Sequence, residues 1–466
     1  MTLMDNKFYI TTAIDYTNDT IHVGHIYQKV IADTLARYHR LLGEKVYFLT
    51  GTDEHGGKVE KSAKTAGFEG KEKEFVNQIA KADEAEQKSI NVSFDRFIRT
   101  TDDDHVKFCL EFWEKVEKSG DIYTAEYDGI YCEGCEAFLN KSDLKDGKCP
   151  FHPNLEPKII KEKNYFFRWS KYTDFLKNHI LTHPEFIWPE SRRNEMLSFI
   201  NQGIQDIPIS RTTIKFGIPV PNDPTQTIYV WFDALINYLT GDPGGFWPAD
   251  IHILGKDNTR WHALLWPAML KSAGYELPKT ILVNGFLTLN GQKISKSSGN
   301  IIKTSELVKK FGADAVRYYL LKSKPIGTDG DISLEKIKEG YNADLANGLG
   351  NLVARVAKLC ENSGFDFQET KLEFDSSWEN HLEAFYLNEA LEETWAHVNE
   401  NNKRINESKW WKLSGTELQT ALRSGVDSIR KIAFHLQPFM PDTAGKILSQ
   451  FKGPKIKSSA PLFPRI

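Results

Sequence analysis

The sequence predicts an α/β fold in which a parallel sheet with helical crossovers is split by an insertion and followed by a helical bundle. Three observations predict it. The apolar run Phe8 to Ile14 reads as a buried strand, Val23 to Leu42 carries Ile26, Val30, Leu35, Tyr38 and Leu42 at helical spacing, and Val46 to Leu49 reads as a second strand. From about Gly120 to Pro221 the pattern changes to short β-like pieces, turns and a cluster of cysteines. No proline occurs between Pro325 and Pro438, and Leu345, Leu349, Leu352, Val356 and Leu359 recur at helical spacing in the first part of that stretch.

Strand, helix, strand is the unit of a parallel, Rossmann-type sheet, whose ligands sit beyond the carboxyl ends of the strands. The loop DYTNDTIHVGH after the first strand is therefore where chemistry is expected. Strands resume at Ile228 to Trp231, Ile251 to Leu254 and Thr280 to Val283, with a helix around Trp261 to Ala273. The expected divisions are 1–119 and 222–325 for the two halves of the sheet domain, 120–221 for the insertion, 326–450 for the bundle and 451–466 for an extended tail.

A chain of 466 residues with 26% charged and 40% hydrophobic residues suits a globular protein of several domains. A net charge of −4 means that a nucleic-acid partner would have to meet a local basic surface. The start, MTLMDNKFYITTAIDY, is unlike a secretory signal, and no uncharged apolar run approaches the length of a membrane span. A cytoplasmic protein with no membrane partner is expected. No module follows the predicted bundle, so a monomer is the default expectation.

His22, Gly24 and His25 form an H-x-G-H motif at the start of the first predicted helix, where unpaired N–H groups and the helix dipole favour phosphate. Imidazole donors can add to this, and Gly24 leaves room for a nucleotide to approach the backbone. Further on, Lys293-Ile294-Ser295-Lys296-Ser297 lies between two turn signals, Asn290-Gly291 and Ser298-Gly299-Asn300. Lys293 and Lys296 on such a loop can place charge where it builds up on a reacting triphosphate. Cys132, Cys135, Cys149 and His152 pair as C-x2-C and C-x2-H, a ligand set that suits tetrahedral zinc. Four protein ligands leave no open position, so a structural zinc is expected. Cys109 and Cys360 read as ordinary buried residues.

H-x-G-H after a first strand and K-x-S-K-S after a late one resemble the two signature sequences of the class I aminoacyl-tRNA synthetases. FLTGTDEHG (Phe48 to Gly56), YVWFDALINYL (Tyr229 to Leu239), HILGKDNTRWHALLWPAML (His252 to Leu270) and NGFLTLNGQKISKSSGN (Asn284 to Asn300) resemble the methionyl-tRNA synthetases in particular. The resemblance implies activation of L-methionine by ATP, with Mg2+, and transfer to tRNA(Met). It makes His22, His25, Lys293 and Lys296 catalytic by positioning and charge, and adds Gly24 and Asp257 to the ATP-binding positions. It implies a methionine site with Asp53 and a backbone group near Ile14 holding the ammonium, and Tyr16, Trp231, Ala234, Leu235, Tyr238 and His262 around the thioether. An anionic partner and polarizable aromatic surfaces are what those two groups require.

The same resemblance places a zinc knuckle in the insertion and a helical anticodon-binding domain after the sheet. Asn351 and Arg355, four residues apart on one helix side, and Trp411 match its anticodon-reading positions, and amide, guanidinium and indole are groups that read unstacked bases. Ala13, Asp15, Asn284 and Trp410 depart from the family's usual residues. Asp15 brings a charge beside the methionine site, and Trp410 leaves two adjacent indoles as anticodon candidates. Another class I synthetase, such as a cysteine-specific one, and a catalytically silent tRNA-binding paralogue are the alternative readings.

Overall fold

The computed structural model describes residues 6–134, 137–139, 144–150, 152–294 and 301–466. Among these, a seven-stranded sheet carries β1 (Lys7–Thr12), β2 (Asp15–Tyr16), β3 (Lys45–Asp53), β4 (Arg96–Arg99), β5 (Ile187–Trp188), β6 (Ile251–Gly255) and β7 (Thr280–Asn284). All its pairings are parallel. Central strands buried on both faces read as continuous apolar runs, and Phe8, Tyr9 and Ile10 of β1 and Ile281, Leu282 and Val283 of β7 are buried accordingly. β3 pairs with one side of β1 and β6 with the other, so the sheet reverses its strand order at β1. In open parallel sheets such a reversal is where ligands bind, beyond the carboxyl ends of the strands, here β1, β3 and β6.

The predicted strand at Ile228 to Trp231 is corrected by the structure. Asp223–Ile228 belongs to a separate antiparallel three-stranded sheet with Ser210–Arg211 and Pro219–Val220, and from Val230 the chain is helical. Ile228, Tyr229, Val230 and Phe232 are all buried, and a short run buried on every side has no periodicity to separate strand from helix. Within 120–221, Ile122–Cys132 and Lys158–Phe167 form a long antiparallel ladder in a four-stranded sheet, while β5 of the same segment pairs with β7.

The chain divides into two compact units. The first comprises Met1–Ile21, Glu44–Gln87 and Ser93–Asn284, and the second His22–Gly43, Lys88–Val92 and Gly285–Ile466. Helix α1 (Val23–Leu41) thus belongs to the second unit although β1 and β3 on either side of it belong to the first. The first unit also holds α2 (Asp103–Lys118) and the short α3 (Val230–Ala234).

In the second unit, the fully buried Arg317 lies 2.7 Å from Asp33 of α1 and donates to the carbonyls of Phe439 and Pro438. A buried guanidinium requires this saturation of its donors. Leu345, Leu349, Leu352 and Val356 are fully buried as predicted, whereas Leu359 is half-buried. The first two lie in a π-wound segment, Tyr341–Gly350, which runs into α4 (Asn351–Ser363). The tail is an extended cover: Ile456 and Phe463 are buried, and Phe463 meets Tyr341 edge to face at 5.8 Å. Among the described residues no helix is long and apolar enough to cross a membrane.

Candidate functional site

In the first unit, β2 runs beside the end of β3 so that Tyr16 pairs with Asp53. Thr17 donates both its N–H (2.9 Å) and its hydroxyl (3.1 Å) to the Asp53 carbonyl, fixing the backbone from which that carboxylate projects. Asp53 is only 7% exposed. Ile14, half-buried, follows β1, and Ala13 before it donates to the carbonyl of Ile253 at 2.8 Å. Ile14, Tyr16 and Trp231 all pack against the core cluster that contains Leu235 and Tyr238.

Trp231 and Ala234 are on α3, Leu235 follows it, and Tyr238 is on the next short helix, Asn237–Thr240. His262 lies in the π-wound turn Trp261–Leu265. The Nδ1 of His262 is 3.0 Å from the Asn258 carbonyl, which can only accept, so the ring proton sits on Nδ1. Its Nε2 then accepts the Tyr238 hydroxyl at 2.7 Å. Burial pushes His262 down to about 4, which keeps the ring neutral. Burial also raises Tyr238, and the charges of Asp15 and Asp53 raise it further. Asp15, the departure noted in the sequence, is thus a buried charge felt at Tyr238. Trp231 stacks on Trp261 with centroids 4.9 Å apart and stands edge-on to His262 at 6.4 Å. This combination of buried carboxylates, large aromatic faces and a neutral Tyr–His pair suits a ligand with a cationic end and a soft apolar end.

In the second unit, His22 is the N-cap of α1. The Gly24 N–H donates to His22 Nδ1 (3.1 Å) and the His22 N–H donates to His25 Nδ1 (3.2 Å), a reciprocal capping box made by two imidazoles. Both Nδ1 atoms accept, so each ring carries its proton on Nε2. A Cβ on Gly24 would lie 2.9 Å from His22 Cε1, so glycine is needed here for the cap itself as well as for any ligand. Lys293 ends a hairpin whose turn, Asn290-Gly291, has both residues at positive φ (51° and 76°), as the turn signal predicted. Lys296 lies outside the described residues. Asp257 is exposed on the short turn Lys256–Asn258 of the first unit.

In the Ile122–Cys132 region, Cys132 and Cys149 are buried, and each Sγ is 3.9 Å from His152 Nδ1. A Cβ on Gly134 would lie 2.4 Å from the His152 ring, so only glycine admits the ring at that position. Cys135 lies outside the described residues. The three donor atoms all fall within 4.8 Å of one another, a soft donor set that fits a zinc ion.

On α4, Asn351 is exposed and Arg355 donates to Asn406 at 2.7 Å while its guanidinium stands 5.9 Å from the Trp411 ring centroid. Trp411 is 53% exposed; Trp410 is buried against Gly425, where a Cβ would come within 2.8 Å of its ring.

Sequence reasoning missed a polar cluster in the first unit. His55 Nδ1 is 2.6 Å from Asp233 Oδ2, His105 Nε2 is 2.8 Å from Asp233 Oδ1, and Cys109 Sγ is 3.1 Å from His105 Nε2. Cys109 is buried as expected but is part of this network. Glu54, fully buried, takes a two-pronged pair from Arg99 at 2.6 and 2.9 Å. His55, Glu54 and Asp233 all lie in stretches quoted for the resemblance, but the imidazole, carboxylate and guanidinium partners they take here are 45 to 178 residues away, and no local signal links them.

A parallel sheet whose strand order reverses at β1 and a helix start capped by H-x-G-H mark the class I aminoacyl-tRNA synthetases, and the tRNA synthetases class I (M) family matches residues 8–156 and 142–357. The chain is 41% identical to the methionine--tRNA ligase of Thermotoga maritima, covering 95% of this chain and 74% of that one. It is also 41% identical to the methionine--tRNA ligase of Synechocystis sp., over 95% and 89%. Among solved structures, the methionyl-tRNA synthetase of Mycobacterium tuberculosis in complex with methionyl-adenylate superposes with a TM-score of 0.91 at 38% identity, over 99% of this chain and 100% of that one. The chain belongs to the methionyl-tRNA synthetase family.

Proposed function

We infer that the crevice of Asp53, Trp231, Tyr238 and His262 binds L-methionine for the reaction of this family, the ATP-dependent joining of methionine to its tRNA. The observation that carries the reading is the buried carboxylate of Asp53 in the same unit as the stacked Trp231 and the neutral Tyr238–His262 pair. Asp53 and the backbone near Ile14 hold the ammonium. Tyr16, Trp231, Ala234, Leu235, Tyr238 and His262 surround the thioether.

The methionine carboxylate attacks the α-phosphorus of ATP and pyrophosphate leaves. A ribose hydroxyl at the 3′ end of tRNA(Met) then attacks the carbonyl carbon and releases AMP. ATP is taken with Mg2+ by His22, Gly24, His25, Asp257, Lys293 and Lys296. The Nε2–H groups of the two imidazoles and the ammonium groups of the two lysines stabilise developing charge, a contribution commonly of roughly 3 to 4 kcal/mol per donor.

Cys132, Cys135, Cys149 and His152 would hold a structural zinc that closes the segment around Gly134; no chemical step passes through it. Elemental assay of the purified protein should find about one zinc per chain, lost in Cys149→Ser. Asn351, Arg355 and Trp411 read the anticodon, and the exposure of Trp411 against the burial of Trp410 favours it as the stacking indole. Residues 1–119 and 222–325 are the catalytic halves, 120–221 the zinc-bearing insertion, 326–450 the anticodon-binding part and 451–466 its cover. The protein acts as a cytoplasmic monomer.

Lys296→Ala tests the division of roles. Equilibrium binding of methionine should stay near that of the unaltered chain, while single-turnover formation of methionyl-adenylate slows by roughly a hundredfold or more. Loss of methionine affinity with normal adenylate formation would contradict the assignment.

A further inference from the structure

Asp233 sits two residues after Trp231 and immediately before Ala234 and Leu235, and His55 sits two residues after Asp53. Each oxygen of the fully buried Asp233 carboxylate accepts from one imidazole: Oδ2 from His55 Nδ1 at 2.6 Å and Oδ1 from His105 Nε2 at 2.8 Å. The carboxylate therefore ties the segment leaving β3, which carries Asp53, to α3, which carries the aromatic wall. We propose that Asp233 is a positioning residue that sets the distance between the ammonium-binding and thioether-binding sides of the pocket through its bonds to His55 and His105. The proposal rests on the reading of this crevice as the methionine site.

Three features support it. Helix α3 is five residues long and too short to hold its own position, so an external anchor is required. Burial would push Asp233 up, but His55 and His105 outweigh it and hold the carboxyl down to about 2, so the anchor stays ionised. His105 Nδ1 is buried with no hydrogen-bond partner among the described residues, as it should be if the ring's proton is on Nε2 facing the carboxylate.

Cys109 adds a third contact, its Sγ 3.7 Å from Asp233 Oδ1. Burial, and then the charge of Asp233, pushes the Cys109 thiol up, so it remains S–H and donates. Between Asp53 and His55, Glu54 is clamped by Arg99 and by the Thr52 hydroxyl at 2.8 Å. The ammonium-binding Asp53 is thus followed directly in sequence by two anchored residues, Glu54 and His55.

His105, Cys109 and Asp233 also form a possible metal triad. The spacing argues otherwise. Bonds of roughly 2.0 to 2.3 Å to a tetrahedral ion separate the ligand atoms by about 3.3 to 3.8 Å. The nitrogen here is 2.8 Å from the carboxylate oxygen and 3.1 Å from the sulfur, which are hydrogen-bond separations.

The test is ATP-pyrophosphate exchange by the full chain, titrating methionine at saturating ATP and ATP at saturating methionine. His55→Ala and His105→Leu should raise the KM for methionine about tenfold while leaving the KM for ATP within about twofold. His55→Asn, whose amide N–H takes the place of Nδ1, and His105→Gln, whose N–H takes the place of Nε2, should recover most of the loss. An unchanged methionine KM in well-folded His55→Ala, equal rises in both KM values, or failure of the amide variants to recover would overturn the proposal. If His55→Ala does not fold, His55→Asn is compared with His55→Gln, whose N–H reaches the wrong position. A methionine KM raised only in Gln supports the anchor, and equal values overturn it. Asp53→Asn is measured alongside. If it binds methionine normally, the pocket reading itself fails; if it is weakened while the His55 and His105 variants are not, only the positioning role fails.

Discussion

In the first unit the candidate methionine contacts are hidden: Asp53 is 7% exposed, His262 3% and Tyr238 1%. In the second unit the candidate anticodon contacts are open, with Trp411 53% exposed and Asn351 at the start of α4 facing solvent. A small amphipathic ligand is recognised by groups already removed from water, whose protonation and direction the protein has fixed in advance. An unstacked base brings its own flat surface, so the protein needs only to hold planar groups rigidly in the open. Changes in the first region should therefore act on small-molecule affinity, and changes in the second on RNA affinity alone.

The sharpest break is Asp53→Asn. Leaving the methionine ammonium without its anion should cost roughly 3 to 5 kcal/mol of methionine binding, seen as a raised methionine KM in exchange, with tRNA affinity unchanged. The two adjacent indoles should separate by kind of damage. Trp410→Ala opens a cavity in the bundle and should lower unfolding free energy by roughly 3 to 5 kcal/mol in denaturant titration. Trp411→Ala should leave that stability unaltered and weaken tRNA binding by roughly 1 to 3 kcal/mol, with exchange untouched. If Trp411→Ala changes exchange, the contrast between the two regions is wrong.

The smallest effect is a pH dependence. His262 is depressed by burial from 6.5 to about 4, and buried His252 is pushed down as well. A histidine kept neutral in the fold contributes stability that is full above about 6.5 and is lost as pH falls toward 4, because the unfolded chain binds the proton first. Thermal unfolding temperature should fall over that window, with a shallower slope in His262→Leu. A slope that His262→Leu leaves unchanged would show that this histidine does not hold its neutral form against acid.

Much of the fold was legible because central parallel strands are apolar throughout and α1 has a clear helical stripe. The H-x-G-H motif was legible as a helix start, but its chemistry was richer than the sequence suggested: the two imidazoles cap the helix through Nδ1, and Gly24 makes room for the His22 ring. The run at Ile228 to Trp231 misled because burial of Ile228, Tyr229 and Val230 in succession erases periodicity. Trp410 and Trp411 could not be separated before packing against Gly425 was known. The Asp233 network was invisible because hydrogen bonds between His55, His105 and Asp233 close loops of 128 and 178 residues, and single-residue chemistry carries no sign of its distant partner.

The central claim is that this crevice selects methionine and that the chain activates it with ATP. The most direct measurement is ATP-pyrophosphate exchange by the purified chain with each proteinogenic amino acid in turn, in magnesium buffer without tRNA. Exchange with methionine alone is the expected result. Exchange with a different amino acid would contradict the pocket assignment, and absence of exchange with all of them would contradict the enzymatic reading altogether.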